Sequence, residues 1–305
     1  MSTQITTAFV EQYKANVYHL AQQKGSKLRM ACRVETVTGK NAFYEQIGST
    51  AAQLRTSRHA DTPRMDTPHS RRRVSLQDYD WADLVDGEDQ VRMLIDPTSQ
   101  YAQAAAWAMG RAIDDAVIAA ADGTAYTGVA GGTSTVFDTA MIVDVQVGWP
   151  GVTVADDKGL NVAKLLAAGE KLAAGNIDPD EEKHVVVNAR QVKSLLMDTR
   201  VSSHDYNAIK PLVSGQIVQF AGFHIIPTQR IGVDSNSDDK CLFWAKGGML
   251  LGVGKDISGR ISERADKNYS TQVFASMSIG ATRMEEARVG YIECDPDAGP
   301  EGNLD

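Results

Sequence analysis

Hydrophobic positions change their spacing several times along the chain, and each change marks an element. Over residues 4–24, Phe9, Val10, Tyr13, Val17, Leu20 and Ala21 recur at three- and four-residue steps. That spacing predicts a helix or partly helical arm, stopped by Gly25. Residues 27–39 (KLRMACRVETVTG) alternate in part, as a strand does, with Leu28, Met30, Cys32 and Val34 on one face. The strongest helical pattern is DPTSQYAQAAAWAMGRAIDDAVIAAADG, with Asp96 as N-cap, Pro97 in the first turn and a stop at Gly123. Its apolar stripe is Tyr101, Ala105, Ala108, Met109, Ala112, Ala116, Val117 and Ala120. About 25 residues span roughly 37 Å, and the many alanines allow close approach of another layer.

Between Gly39 and about Glu88 the pattern is different. NAFYEQIGS and RVSLQDYDWADLV are strand-like, and RTSRHADTPRMDTPHSRRRV (55–74) lies between them. This stretch holds six arginines, two prolines and two histidines, with almost nothing able to enter a core. Two strand-like limbs with a polar tip predict a long hairpin, reaching at most roughly 80 Å from its root. A two-stranded hairpin has no second layer to bury a face against, so another surface must hold it. Disordered linker, nucleic-acid-binding arm, active-site lid, or a limb ordered against another copy of the chain are the candidate roles.

Residues 124–158, rich in Gly, Thr and Val, read as loops and short strands. A compact α/β lobe then follows over 159–240. LNVAKLLAAGEKLAAGN is a helix ending at Gly175, KHVVVN a buried strand, and ARQVKSLLMDT a helix that Asn188 can cap. GQIVQFAGFHIIPT carries two short strands around Gly222. From 241 to 294 the chain is almost entirely β, as CLFWAK, MLLGVG, ISGRISER, TQVFASMSIGATRM and ARVGYIEC, before a polar tail.

Composition narrows the functional classes. A chain of 305 residues, 43% hydrophobic, can bury a sizeable core. It contains no apolar run long enough for a membrane helix and no export-signal pattern at its start. Cys32, Cys241 and Cys294 lie too far apart for a disulfide framework or a metal site, and fit folding in a reducing cytoplasm. The net charge of −8 argues against a chain whose main task is gripping a phosphate backbone.

Enzyme signatures fail one by one. GGMLLGVGKD lacks the glycine five residues before Gly254, and Asp256 replaces the hydroxyl residue of a phosphate loop. GVAGG (128–132) follows no buried strand and opens no helix. The six histidines are scattered singly; His184 and His224 flank buried strands and read as satisfied core or surface residues. The adjacent carboxylates Asp114 and Asp115, and Glu285 and Glu286, point apart and suit acid–base catalysis poorly. They read as a solvated face or as ion-pair partners across an interface. No catalytic, cofactor-binding or metal-binding residue is therefore assigned. Arg55, Arg58, Arg64, Arg71, Arg72 and Arg73 could contact phosphates, but no aromatic is interleaved between Tyr44 and Tyr79 for base stacking. Arginine also pairs bidentately with carboxylates, and the rest of the chain is acidic.

The order of parts resembles that of the Hong Kong 97-type major capsid proteins of tailed phages. DYNAIKPLVSGQIVQFAGFHIIPTQRI is similar to that family's axial-domain segment. LFWAKGGMLLGVGKDISGRISER and TQVFASMSIGATRMEEARVGYIE look like its closing strands. YKANVYHLAQQKGSKLR and DPTSQYAQAAAWAMGRAIDDAVI resemble one branch of these coat proteins. The resemblance implies an α+β fold with an N-terminal arm and first peripheral-domain strand over 1–38. It further implies an extension-loop hairpin over 39–90, a peripheral domain over 91–158 with spine helix 96–122, and an axial domain over 159–240. Return strands would fill 241–294 and a tail 295–305.

The implied function is a virion shell protein, assembled in a host bacterial cytoplasm as hexamers and pentamers around packaged double-stranded DNA. The six arginines become extension-loop contacts to a neighbouring subunit, with Asp114, Asp115, Glu285 and Glu286 as possible acidic partners. Expected partners are other copies of the chain, a separate scaffolding protein (no long built-in scaffold precedes the arm), a portal and a decoration protein. No membrane and no cofactor is expected. Some relatives weld their shells through an extension-loop lysine; residues 41–100 hold no lysine, which predicts no such crosslink. The alternatives are an encapsulin-like nanocompartment shell, a DNA-binding accessory protein, or an α/β enzyme with a basic lid.

Overall fold

A computed structural model describes residues 22–58, 61–62, 64–85, 98–149, 156–198 and 219–301. In chain order the strands are β1 (Arg33–Thr36), β2 (Asn41–Ile47), β3 (His69–Ser75), β4 (Gln77–Val85), β5 (Ala125–Thr127), β6 (Thr133–Thr135) and β7 (Ile142–Val143). They continue as β8 (Lys183–Val187), β9 (Gln219–Phe220), β10 (Phe223–Pro227), β11 (Asp239–Ala245), β12 (Met249–Arg264), β13 (Ser270–Arg283) and β14 (Val289–Cys294). The helices are α1 (Thr98–Asp122), α2 (Val162–Ala174) and α3 (Ala189–Met197). The helical reading of residues 4–24 falls almost wholly outside the described residues, as does the Asp96–Pro97 start of the long helix.

The chain divides into two units. One takes in the described parts of Met1–Ser26, Asp78–Ala112 and Lys255–Ser278. Within it β12, β13 and β4 are sheet neighbours in that order. The Gly25–Ser26 backbone passes so close to α1 that a Cβ on Gly110 would lie 2.5 Å from Gly25 Cα. Close approach by a small-residue helix is what its composition foretold.

The other unit comprises Lys27–Gln77, Ile113–Gly254 and Ile279–Asp305. Its main sheet has six strands in the order β7-β14-β11-β8-β10-β9. Strands β8 and β10 pair parallel, whereas β11 pairs antiparallel with both β8 and β14. Val185, Val187, Phe223, Phe243 and Cys241 on one sheet face pack with Leu165, Ala168, Leu172 and Leu195 of α2 and α3. The α3 start falls at Asn188 as the sequence predicted, and α2 has a cap of the same kind that was not read from it. Asn161 accepts the Lys164 N–H and Asn188 the Gln191 N–H, satisfying donors that a helix start leaves free. Gly175 closes α2. Ala221 and Gly222 take positive φ in the turn between β9 and β10. A second sheet of this unit runs β2-β3-β5-β6, and β1 pairs parallel with the start of β12.

Four expectations change. Residues 29–31 form a 3₁₀ turn, so Leu28, Met30, Cys32 and Val34 do not share a face; Leu28 and Cys32 are buried while Met30 is 86% exposed. MLLGVG and ISGRISER are one strand, buried over its first four residues and largely exposed beyond Val253. The buried stripe of α1 contains Ala105, Met109, Ile113, Val117 and Ala121, shifting the expected face by part of a turn. The fourth change concerns the hairpin. β2 pairs with β3, from Asn41↔Ser75 to Ile47↔His69, while β4 joins a different sheet. The second limb is therefore 69–75, and Arg71, Arg72 and Arg73 lie in its strand rather than at the tip. Arginine is not a strong strand former, so tertiary pairing overrode local preference.

Candidate functional site on the arginine-rich hairpin

The β2–β3 hairpin has a root embedded in the chain and an arm that leaves it. At the root, alternation sends successive side chains to opposite faces. The inward face carries Val74, fully buried against Leu250 and Met284, with Tyr44 beside them. Arg72 also points inward and is 5% exposed. Its Nε donates to the Met284 carbonyl at 2.7 Å and its guanidinium pairs with Glu286. Glu286 serves a second buried cation, Arg283, at 3.5 Å. Arg283 in turn donates to the carbonyls of Ala121 (2.9 Å) and Gly123 (2.8 Å), satisfying the end of α1. Burial foremost, and the neighbouring Arg72 charge, lower the Arg283 pKa. Gln46 adds a 2.8 Å bond to the Met284 carbonyl. The approach is close enough that a Cβ on Gly280 would lie 2.2 Å from the Ser75 carbonyl oxygen.

The outward face presents Phe43, Arg73 and Tyr126 in register across three strands, with Arg71 opposite Glu45. The Arg71 guanidinium sits 5.7 Å from the Phe43 ring centre and that of Arg73 4.4 Å from Tyr126. Arg71 pairs with Glu45 and donates to the Val129 carbonyl at 3.2 Å. Hydrogen bonding to Arg71, then its charge, lowers the Glu45 pKa. Gly131, at φ +63°, closes the β5–β6 turn over this row; a Cβ there would meet Arg73 Cδ at 2.7 Å and Phe43 at 2.9 Å.

Beyond the Gly48–Pro68 backbone bond the arm is different. Its described residues are all exposed, including Leu54 and Met65. Its recorded side-chain hydrogen bonds stay inside it, from Gln53 to Met65 and from Arg55 to the carbonyls of Ser57 and Arg58. Arg55, Arg58 and Arg64 lie here.

The four candidate carboxylates each find a partner in their own chain. Asp114 is fully buried and accepts the N–H groups of Lys27 (3.0 Å) and Leu28 (3.0 Å). Asp115 pairs with Arg230, Glu285 with Arg288 at 2.7 Å, and Glu286 with Arg72 and Arg283. Among the described residues no group of three or more His, Cys, Asp or Glu side chains could hold a metal. The three cysteines are buried, and burial with the Asp114 charge pushes Cys32 up to about 12, leaving an inert thiol. His184 departs from the satisfied histidine expected. It is buried and, among the described residues, neither ring nitrogen is hydrogen-bonded; burial followed by the His224 charge pushes its pKa down to about 4.

One surface escaped sequence reasoning altogether. A concavity of about 510 Å³ is lined by Asp144, Asp157, Asp238, Glu293, Asp295 and Asp297. Burial and mutual repulsion raise the pKa of Asp238 and Glu293. Its residues come from four separated segments, so no local signal could have found it.

Comparisons with solved structures define the class. The fold is similar to the capsid of the cyanophage P-SCSP1u, at 16% identity and a TM-score of 0.74, covering 97% of this chain and 95% of that one. It is also similar to the capsid of Ralstonia phage GP4 (12%, TM-score 0.70, 98% and 100% covered) and to Mycobacterium phage Che8 (14%, 0.68, 92% and 96%). This is a tailed-phage capsid fold, consistent with the Hong Kong 97 type. A family profile described as phage capsid protein matches residues 5–296, and the chain belongs to that family. No relative is detected among curated proteins. The chain is thus a structural protein of the virion shell.

Proposed function

We propose that copies of this chain form hexamers and pentamers that close into an icosahedral shell around packaged double-stranded DNA, with the arm of each copy ordered on its neighbour. The carrying observation is the contrast within the hairpin: a root fixed by buried side chains and an arm whose described residues between 49 and 67 make hydrogen bonds only with one another. Ordering an exposed segment costs backbone entropy that only contacts elsewhere can offset. The elements fit an extension loop at the hairpin, a spine at α1 and an axial domain around α2 and α3. The role is structural rather than catalytic. A scaffolding protein, a portal and a decoration protein are the partners this reading calls for, with DNA held non-specifically inside.

The test is deletion of residues 49–67, bridged by a short glycine linker, followed by negative-stain electron microscopy. The deleted subunit should fold and remain unable to close shells; normal particles would refute the role of the arm. Wild-type shells, boiled in detergent, should run as monomers on a gel, because the arm carries no lysine for a covalent weld.

A further inference from the structure

Asp238 stands out among the buried polar side chains. It is 7% exposed and lines the acidic concavity, and among the described residues its carboxylate accepts no hydrogen bond and forms no ion pair. Asp239, beside it, is as deeply buried but accepts from Asn188 at 2.6 Å and from Gln191 at 2.9 Å. A buried carboxylate without a donor costs free energy that an arriving cation recovers. The surroundings define that cation. Asp144, Asp157, Glu293, Asp295 and Asp297 share the wall with Asp238, and no lysine, arginine or histidine lines it. Lys164, whose charge acts on Asp238 and Glu293, is itself buried and donates to the carbonyls of Lys158 (2.6 Å) and Glu293 (2.7 Å). Its pull is outweighed: burial first, then the neighbouring carboxylates, hold Asp238 and Glu293 above their ordinary pKa values.

Ionised carboxylates only accept hydrogen bonds, so this wall calls for a ligand that only donates. Among the described residues no three of them converge closely enough to hold a metal ion, and a divalent metal needs several oxygens in one shell. A basic peptide would bring a carbonyl with every residue into a wall made largely of acceptors. The volume of about 510 Å³ is that of a small-molecule site. We propose that the concavity binds an aliphatic polyamine, whose separated ammonium groups pair with Asp238, Glu293 and the carboxylates around them. Such a ligand clasps chain from 144–146, Asp157, 236–238 and 293–297, segments that like charge otherwise pushes apart. This site goes beyond the shell reading and does not depend on it.

The probe is spermidine, titrated calorimetrically into the full-length subunit at constant ionic strength, with thermal melting as a second readout. Expected are one saturable site and a melting temperature raised by about 4 °C at about a hundredfold excess over Kd. Asp238→Asn should weaken binding about tenfold and also raise the melting temperature of the ligand-free subunit, because it removes a buried charge that lacks a partner. Asp297→Asn, at an exposed position of the same wall, should weaken binding by a similar factor and leave ligand-free melting unchanged. The assignment is overturned by any of four results. These are no saturable binding, a gain that sodium chloride reproduces, binding of Mg²⁺ or of an oligolysine peptide as tight as that of spermidine, or unchanged affinity in both variants. None of these outcomes bears on shell closure.

Discussion

The root and the arm of one hairpin use the same residue type for opposite ends. Arg72, in the root, is buried with a carboxylate and a carbonyl of its own chain, while Arg55, Arg58 and Arg64, in the arm, are exposed. Neither chemistry nor local sequence separates them; the strand pairing does. Once β3 is laid between β2 and β5, one side of the pleat faces Leu250 and Met284 and the other faces solvent. Arginine on the first side becomes architecture, and arginine beyond the pairing remains available to another molecule. A charged run is thus divided near Pro68 into a part held by its own chain and a part left exposed.

The sharpest way to break this contrast is at Glu286. Glu286→Ala leaves Arg72 and Arg283 buried without their shared carboxylate, and should cost about 3 kcal/mol or more in urea denaturation of the subunit. A loss near zero would show that the root is not held by this cluster. Acid should act on the body and not on the arm. His184 has a folded pKa of about 4 against an ordinary 6.5, so protons favour the unfolded chain. Its contribution is fully present above pH 6.5 and is lost as pH falls through about 4, with a total on the order of 3 kcal/mol. His184→Phe should flatten that part of the stability profile, and deleting the arm should leave it unchanged.

A smaller effect is expected from Gly131→Ala, where positive φ and the contact with Arg73 and Phe43 combine. We expect roughly 1 kcal/mol, read by denaturation, with the outward row displaced. Smallest of all for the subunit is the joint change of Arg55, Arg58 and Arg64 to Ser. Its melting temperature should move by no more than about 2 °C, since surface changes of this kind barely alter stability. Shell yield should nonetheless fall. Equal loss of subunit melting and of yield would erase the distinction between root and arm.

Locally encoded features were legible in the residues. Asn188 and Gly175 mark helix ends because caps satisfy backbone groups within three or four residues of themselves. The polar stretch announced a projecting arm because no apolar period runs through it. Other features depend on partners far along the chain. The lobe read as residues 159–240 is completed by β7, β14 and most of β11, since a sheet chooses its neighbours by packing and not by sequence distance. The division of six arginines into three strand residues and three arm residues depends on register, where one step inverts every side chain. The acidic concavity assembles from segments as distant as Asp144 and Asp297. Sequence by itself determined the three described helices, the ends that Gly123, Gly175 and Asn188 mark, and the existence of a basic limb, all set by forces acting over a few residues. Which arginines turn inward, and which stay exposed, only the tertiary structure decided, because burial and countercharge come from chain that is remote until it folds.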